Sequence, residues 1–317
     1  MKKIICTIIV IACLFGLFAC GTTTSGSFAK PDSGSFTISE YEIRKYLEES
    51  TGMWEFAQRF FDDTIIYKSS KAGGWAFEPV DTSMPLSDYN WDNLRHAGPI
   101  GNTEWEYYEG SELKSIKGID VSVYQGNIDW AKVADDGVKF AYIRTGYRGY
   151  TEGVFALDSN FEKNITGALE NGIAVGCYFV TRAISREEAI EEADWFYDQI
   201  KDYDFTWPVV LDLEAAGSIR ARDNDLSAED RTTFVIEFCE RMKEHGVDTI
   251  LYSNIGYFLD NLQLPRLTEY DKWFAQYFNR PFFPYEFYIW QYTSSGRVNG
   301  ITGDVDLNIC FKDYGKK

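Results

Sequence analysis

Eight short apolar runs in the C-terminal two thirds of the chain constrain its fold more than any other feature. They occupy residues 116–121, 140–145, 173–180, 208–213, 249–253, 272–276, 287–291 and 305–309. Runs of this length that are bounded by turn residues are typical of buried strands. Amphipathic segments that begin at Ser159, Ser185 and Ser227 lie between some of these runs and indicate helices. The alternation predicts the α/β class and an irregular (β/α)8-type (TIM-like) barrel, irregular because the last connections are too short for full helices.

The N-terminus has the layout of a secretory signal peptide. A pair of lysines precedes an apolar run over 4–19, which ends abruptly in a Gly/Thr/Ser stretch and is too short for a comfortable membrane span. The letters LFAC, which end at Cys20, resemble the lipobox of bacterial lipoproteins. We therefore expect residues 1–19 to be a lipoprotein signal peptide and Cys20 to carry the lipid. Cys13 is a competing match, and an ordinary secreted protein is the alternative.

The region between this leader and the barrel divides into two parts. Residues 20–35 are rich in Gly, Ser and Thr, which predicts a flexible tether. Residues 36–112 are predicted to form a small N-terminal extension, with helices over 38–49 and 54–66. The barrel is then expected to occupy residues 113–317.

Charge and composition exclude several classes of function. The chain has 31 Lys and Arg against 49 Asp and Glu, a net charge of −18, which would repel the phosphates of a nucleic acid. Neither His96 nor His245 is placed for a catalytic triad or a zinc site, so no metal and no organic cofactor are expected. Cys177, Cys239 and Cys310 lie in apolar segments and are predicted to be buried thiols. The chemistry must therefore use carboxylates.

Carboxylates occur where an active site of a barrel is expected, at the C-terminal ends of the strands. Asp120 ends the first predicted strand, Asp212 and Glu214 end the fourth, and Asp306 lies on the last. Asp212 and Glu214 are two residues apart, so they share one face of the strand with Cα atoms roughly 6–7 Å apart. Salt-bridged structural groups are the alternative explanation. Paired carboxylates with nearby aromatic rings favour glycoside cleavage, in which one acid stays protonated beside an ionised partner.

The same residues resemble glycoside hydrolase family 25, the Chalaropsis-type lysozymes or N-acetylmuramidases, over about residues 115–313. The motifs that carry the resemblance are GIDVS at 118–122, QGNIDW at 125–130, FAYIR at 140–144, GCY at 176–178, DLE at 212–214, WFAQY at 273–277, WQYTSSG at 290–296 and GDVDLN at 303–308. The resemblance implies that the partner is peptidoglycan and that the β-1,4 bond between N-acetylmuramic acid and N-acetylglucosamine is cleaved.

The resemblance also implies roles for individual residues. Glu214 is expected to be the general acid and Asp212 its partner, while Asp120 is a candidate nucleophile or base and Asp306 completes the acidic cluster. Retaining, inverting and substrate-assisted mechanisms all remain open, because backbone spacing does not determine the separation of the carboxyl groups. Six further residues are expected to shape the saccharide groove: Arg144, Tyr178, Tyr252, Gln276, Trp290 and Tyr292.

Two rival functions are a chitinase-like hydrolase and a peptidoglycan-binding module without activity. The first is less favoured because the positions before Asp212 are Pro and Val rather than further aspartates. The extension could supply a wall-binding surface, although packing of its tryptophans on the barrel is favoured. The tryptophans concerned are Trp54, Trp75, Trp91 and Trp105. We expect an extracytoplasmic monomer that is anchored to the membrane through Cys20.

Overall fold

A computed structural model describes residues 4–7, 35–38, 63–97 and 104–315. The chain divides into two compact units. The first comprises residues 1–68 and 72–80, and the second comprises residues 69–71 and 81–317. Most of the leader and tether, all but the first residue of the predicted helix over 38–49, and Trp54 lie outside the described residues.

In the first unit, the described residues form short strands. Strand β1 (Ile4–Thr7) pairs antiparallel with β2 (Ser35–Ile38), and β3 (Thr64–Ser69) pairs with β4 (Gly74–Pro79). The prediction of a helix up to residue 66 is therefore wrong for 64–66. These residues are Thr-Ile-Ile, and β-branched side chains favour a strand over a helix.

The second unit begins with a small antiparallel sheet that precedes the barrel. Its strands are β5 (Leu94–Ala97), β6 (Glu104–Glu109) and β7 (Glu112–Leu113). A single 3-10 turn, Trp91–Asn93, leads into β5 and is capped by the side chain of Asn90.

The barrel is closed by eight strands, which confirms the predicted fold. These are β8 (Ile116–Val121), β9 (Phe140–Arg148), β11 (Ala174–Val180), β12 (Val209–Asp212), β13 (Thr249–Asn254), β14 (Lys272–Ala275), β15 (Ile289–Gly296) and β16 (Val305–Cys310). They pair in chain order, and β16 closes the ring by pairing with β8. A short strand, β10 (Phe155–Leu157), forms a hairpin with β9.

The last strand of the barrel runs in the opposite direction to the other seven. Strands β8, β9 and β11 to β15 are parallel neighbours, whereas β16 is antiparallel to both β15 and β8. A parallel connection needs a dozen or more residues, and only residues 297–304 join β15 to β16. The start of β16 therefore lies at the mouth, where the other strands end.

Five α-helices are described in the second unit, and the caps explain where they begin. They are α1 (Trp130–Asp135), α2 (Phe161–Glu170), α3 (Arg186–Ile200), α4 (Ala228–Glu244) and α5 (Ile255–Asn261). The hydroxyl groups of Ser185 and Ser227 accept hydrogen bonds from the first turns of α3 and α4, as the sequence predicts. Helix α2 follows Asn160, one residue after the predicted start.

Aromatic rings fill the lower half of the barrel. Phe140 stacks on Trp207 with ring centroids 4.3 Å apart, and Tyr142 stacks on Trp273 at 4.8 Å. Glycine makes room for them, since a Cβ atom at Gly118 would lie 2.2 Å from the Phe140 ring. The barrel is thus a packed core with one open end.

The outer face of β15 and β16 is covered by the segment that precedes the barrel. No α-helix occurs in residues 276–288, which connect β14 to β15 and are all described. Instead, Trp91 stacks on Phe287 with centroids 5.8 Å apart and planes 8° apart, and Tyr89 packs on Phe311 at 4.3 Å. Tyr89 and Trp91 therefore cover part of a wall that helices cover elsewhere in the barrel.

Candidate active site

The four predicted carboxylates meet at the mouth of the barrel. Asp120 on β8 and Asp306 on β16 lie directly opposite each other, because β16 enters the barrel from this end. Asp212 is the last residue of β12, and Glu214 follows two residues later. The negative charges of Asp306 and Glu214 both raise the pKa of Asp120, so the carboxyl groups of this cluster influence one another.

Asp120 is held in place by two amide side chains. Its Oδ2 atom accepts hydrogen bonds from Nε2 of Gln291 at 2.8 Å and from Nδ2 of Asn308 at 2.7 Å. Burial raises the pKa of Asp120 well above its usual range, and the charge of Asp306 adds to this, while the two amide donors oppose the rise.

The two amides are themselves oriented by aromatic residues. Oε1 of Gln291 accepts from the hydroxyl groups of Tyr252 and Tyr277, both at 2.9 Å. Oδ1 of Asn308 accepts from the indole nitrogen of Trp273 at 2.8 Å. Each amide oxygen is thus occupied by a donor, so each nitrogen must face Asp120.

Asp212 and Glu214 differ in burial and in hydrogen bonding. Asp212 is 6% exposed, and its Oδ1 atom has no hydrogen-bond partner among the described residues. Burial and then the charge of Glu214 raise the pKa of Asp212 well above its usual range, whereas Arg182 opposes the rise. The pKa of Glu214 is also raised by burial and is opposed by Arg182. From the sequence, an ionised neighbour is expected to help keep the pKa of the acid high, whereas burial is the cause that raises the pKa of Glu214.

Asp306 is the least buried of the three aspartates in the cluster. Burial raises the pKa of Asp306 to about 6, and the charge of Glu214 contributes to the same rise. At neutral pH this carboxyl group is therefore mostly ionised.

Arg144 lies at the mouth between exposed tyrosines. Its Nε and Nη2 atoms donate to Oδ2 of Asp158 at 2.8 and 2.7 Å, so its charge is paired. The guanidinium is 5.1 Å from the ring of Tyr124 and 5.9 Å from that of Tyr147. Tyr124 is 83% exposed and offers a flat apolar face to solvent. Tyr178 aligns with Arg144 on the neighbouring strand.

Two of the predicted groove residues do not face the mouth. Trp290 is completely buried, donates its indole N–H to the carbonyl of Gln276 at 2.8 Å and packs against Trp91. Tyr292 is 3% exposed. Both flank Gln291, which points into the barrel, and alternate residues of a strand point to opposite faces. A position in the saccharide groove does not agree with this placement.

Gln276 is also buried rather than open to the mouth. Its Oε1 atom accepts from the backbone N–H of Phe282 at 2.7 Å, a hydrogen bond that fixes the loop after β14.

The sequence reasoning missed Gln291, Asn308 and Arg182 as site residues. The first two were detectable, since each lies an even number of residues from an inward-facing position, Ile289 and Cys310.

No metal centre or membrane span accompanies this cluster in the described part of the chain. There, no group of three or more His, Cys, Asp and Glu side chains is arranged to hold a metal ion, and no helix has the length and apolar character needed to cross a bilayer. Cys177, Cys239 and Cys310 are buried free thiols, as predicted.

A closed α/β barrel with two neighbouring carboxylates at the carboxyl end of its fourth strand is the arrangement found in the class of barrel glycoside hydrolases. Residues 119–301 match the model of glycosyl hydrolases family 25, and the chain belongs to this family.

Similar proteins are found among curated sequences and solved structures. The chain is 31% identical to lysozyme M1 of Streptomyces globisporus over 208 residues, which are 62% of this chain and 68% of that protein. It is 28% identical to the autolytic lysozyme of Clostridium acetobutylicum over 194 residues, which are 61% of this chain but only 55% of that protein. A lysozyme structure from Streptomyces coelicolor aligns with a TM-score of 0.53 and 29% identity, over 61% of this chain and 90% of that one. A family 25 glycosyl hydrolase from Bacillus anthracis aligns with a TM-score of 0.54 and 27% identity, over 67% of this chain and 95% of that one.

Proposed function

We propose that this protein is a peptidoglycan hydrolase, an N-acetylmuramidase that cleaves the β-1,4 bond between N-acetylmuramic acid and N-acetylglucosamine. The observation that carries the proposal is the cluster of four buried or partly buried carboxyl groups at the mouth, with pKa values raised at Asp120, Asp212, Glu214 and Asp306. Membership of family 25 and the similarity to proteins named as lysozymes support the same substrate.

In this proposal Glu214 donates a proton to the leaving glycosidic oxygen. It is the more exposed member of the pair, so it is the one that a glycan lying over the mouth reaches first. Burial raises the pKa of Glu214, which favours the protonated form that a general acid requires.

The remaining carboxylates stabilise the positive charge that develops on the sugar ring. Asp212 has an oxygen without a partner among the described residues, which suits it to orient the acetamido group or the ring. Asp120 is fixed by two amide donors, so it serves as an oriented acceptor or base rather than as a freely moving nucleophile. Asp306 adds negative charge beside Asp120. Arg144, Tyr178 and Tyr252 shape the groove.

We also propose that the enzyme acts outside the cytoplasm as a monomeric lipoprotein. The support for this is in the sequence: the apolar run over 4–19 and the LFAC motif that ends at Cys20. Residues 113–317 then form the catalytic domain and residues 20–35 a tether.

The test is mass spectrometry of the products formed when the protein is incubated with purified peptidoglycan. We expect new reducing ends on N-acetylmuramic acid, and none with a Glu214→Gln variant, which keeps the shape of the side chain but cannot donate the proton. New reducing ends on N-acetylglucosamine, or cleavage of chitin oligomers at an equal rate, would instead support the chitinase-like reading. Sedimentation with the wall without any cleavage would support a binding module.

A further inference from the structure

One buried arginine outside the predicted site joins the ends of two barrel strands. Arg182 follows β11 and is 8% exposed. Its Nη1 atom donates to the backbone carbonyl oxygens of Thr181 at 2.6 Å and Glu214 at 2.8 Å. The backbone N–H of Thr181 donates to the carbonyl of Asp212 at 3.3 Å, so the two strand ends are connected at more than one point.

The main chain at Arg182 is fixed by Glu192, which forms a buried ion pair with Arg148. Its backbone N–H donates to Oε1 of Glu192 at 3.1 Å, and the hydroxyl of Thr181 donates to Oε2 at 2.5 Å. Glu192, on α3, is fully buried and accepts from Nε of Arg148 at 2.9 Å. These bonds fix the main chain at residues 181 and 182 independently of the Glu214 side chain.

A second arginine lies close by without contacting the strand end. A recess of about 20 Å³ behind β12 is lined by both Arg182 and Arg231. Arg231 is paired with Asp223 at 3.3 Å and donates to the hydroxyl of Tyr257 at 3.3 Å, but no bond from it to Glu214 is found among the described residues. The chain therefore offers a matched control for Arg182 in the same recess.

We infer that Arg182 is a positioning residue for the Asp212 and Glu214 pair, which it holds through the carbonyl group of Glu214 while placing a positive charge behind both side chains. This inference rests on the proposed function. A fixed Cα position matters because a displacement of about 1 Å in an active site costs on the order of 100-fold in rate.

The charge of Arg182 supports the same inference. Burial raises the pKa values of both Asp212 and Glu214, and Arg182 opposes each rise. Without this charge the pair would hold its protons more tightly. The other charged and titratable groups that face the pair are Asp120, Arg144, Tyr178, Tyr252, Tyr277 and Asp306 at the mouth and Asp223, Arg231 and Tyr257 behind β12.

The pH dependence of kcat/KM on peptidoglycan separates positioning from simple structural support. Arg182→Met removes the charge and the hydrogen bonds but keeps the apolar stem. We expect kcat/KM to fall on the order of 10- to 100-fold and the limbs of the pH profile to move up by about one unit. Arg182→Lys keeps the charge, so its limbs should stay in place while kcat falls. Arg231→Met should lower stability and leave the limbs unmoved.

A second readout does not depend on activity. The carboxyl groups of Asp and Glu are labelled with ¹³C in the full chain, the signals of the pair are assigned with Asp212→Asn and Glu214→Gln, and both are titrated in the wild type and in Arg182→Met. We expect higher pKa values in the variant. If Arg182→Met does not fold, Arg182→Gln takes its place, because it lacks the charge but keeps an amide donor.

The outcomes distinguish the two proposals. If the wild type cleaves no glycan, the proposed function fails, and the carboxyl titration still decides the role of Arg182. If the pair titrates at the same pH with and without the arginine, or if Arg231→Met shifts it equally, then Arg182 only supports the fold and the inference is wrong.

Discussion

Replacing Glu192 by Gln should change how the stability of the protein depends on pH. Glu192 is completely buried between α3 and the end of β11, and burial raises its pKa from the ordinary 4.5 to about 7 despite the hydrogen bonds from Thr181, Arg182 and Arg148. The rise in the pKa of Glu192 from 4.5 to about 7 corresponds to about 3 kcal/mol of stability.

The sign follows from the direction of the shift. Because the folded pKa lies above the unfolded one, the folded state binds the proton more tightly. The contribution of Glu192 is therefore fully present below pH 4.5 and is lost as the pH rises through 7. A Gln side chain has nearly the same shape and no titration, so the variant lacks this component.

Urea unfolding of both proteins at pH 4 and at pH 8 measures the effect. We expect the free energy of unfolding of the wild type, taken relative to that of Glu192→Gln, to decrease by about 3 kcal/mol between the two values. The contributions of the other carboxyl groups to the pH dependence cancel in this comparison, because these groups titrate alike in both proteins. If the free energies of unfolding of the two proteins differ by the same amount at pH 4 and at pH 8, the reasoning is refuted. Such a result would mean that Glu192 stays ionised in the folded state beside Arg148.

Three further predictions concern the barrel. Gly118→Ala places a Cβ atom 2.2 Å from the Phe140 ring and should lower the free energy of unfolding by about 1–3 kcal/mol in urea titrations; an unchanged midpoint would show that the ring moves away freely. Trp91→Ala removes a half-buried ring that stacks on the outer wall and should cost about 2–3 kcal/mol while leaving kcat unchanged below the melting temperature. Asn308→Ala removes one of two donors to Asp120, so kcat should fall about 10-fold in steady-state assays with circular dichroism unchanged; full activity would argue against an oriented Asp120.

The strands and the carboxylate cluster were predictable because local sequence determines them. Buried strands of a barrel are short apolar runs in the sequence. A carboxylate at the end of such a run, as at Asp212, is easily recognised because the residues before it are apolar. The direction of β16 was not read from the sequence, although the short connection over 297–304 contains that information.

The errors at Trp290 and Tyr292 have a different origin. The predicted strand began at residue 287, whereas β15 begins at Ile289, and the sequence reasoning assigned aromatic residues to the groove without checking which face each one occupies. Trp290 is covered by Trp91, which is distant in sequence and also stacks on Phe287. The sequence favours packing of Trp91 on the barrel, but no local pattern shows which strands such a ring contacts.

The reversed direction of β16 also determines where the chain enters and leaves the barrel. Cys310 at the end of β16 pairs with Ile116 at the start of β8, so both passages lie side by side at the closed end. In the proposed function, a glycan strand that lies across the open end meets the loops at the strand ends of the barrel, on the opposite side from the two points where the chain enters and leaves it.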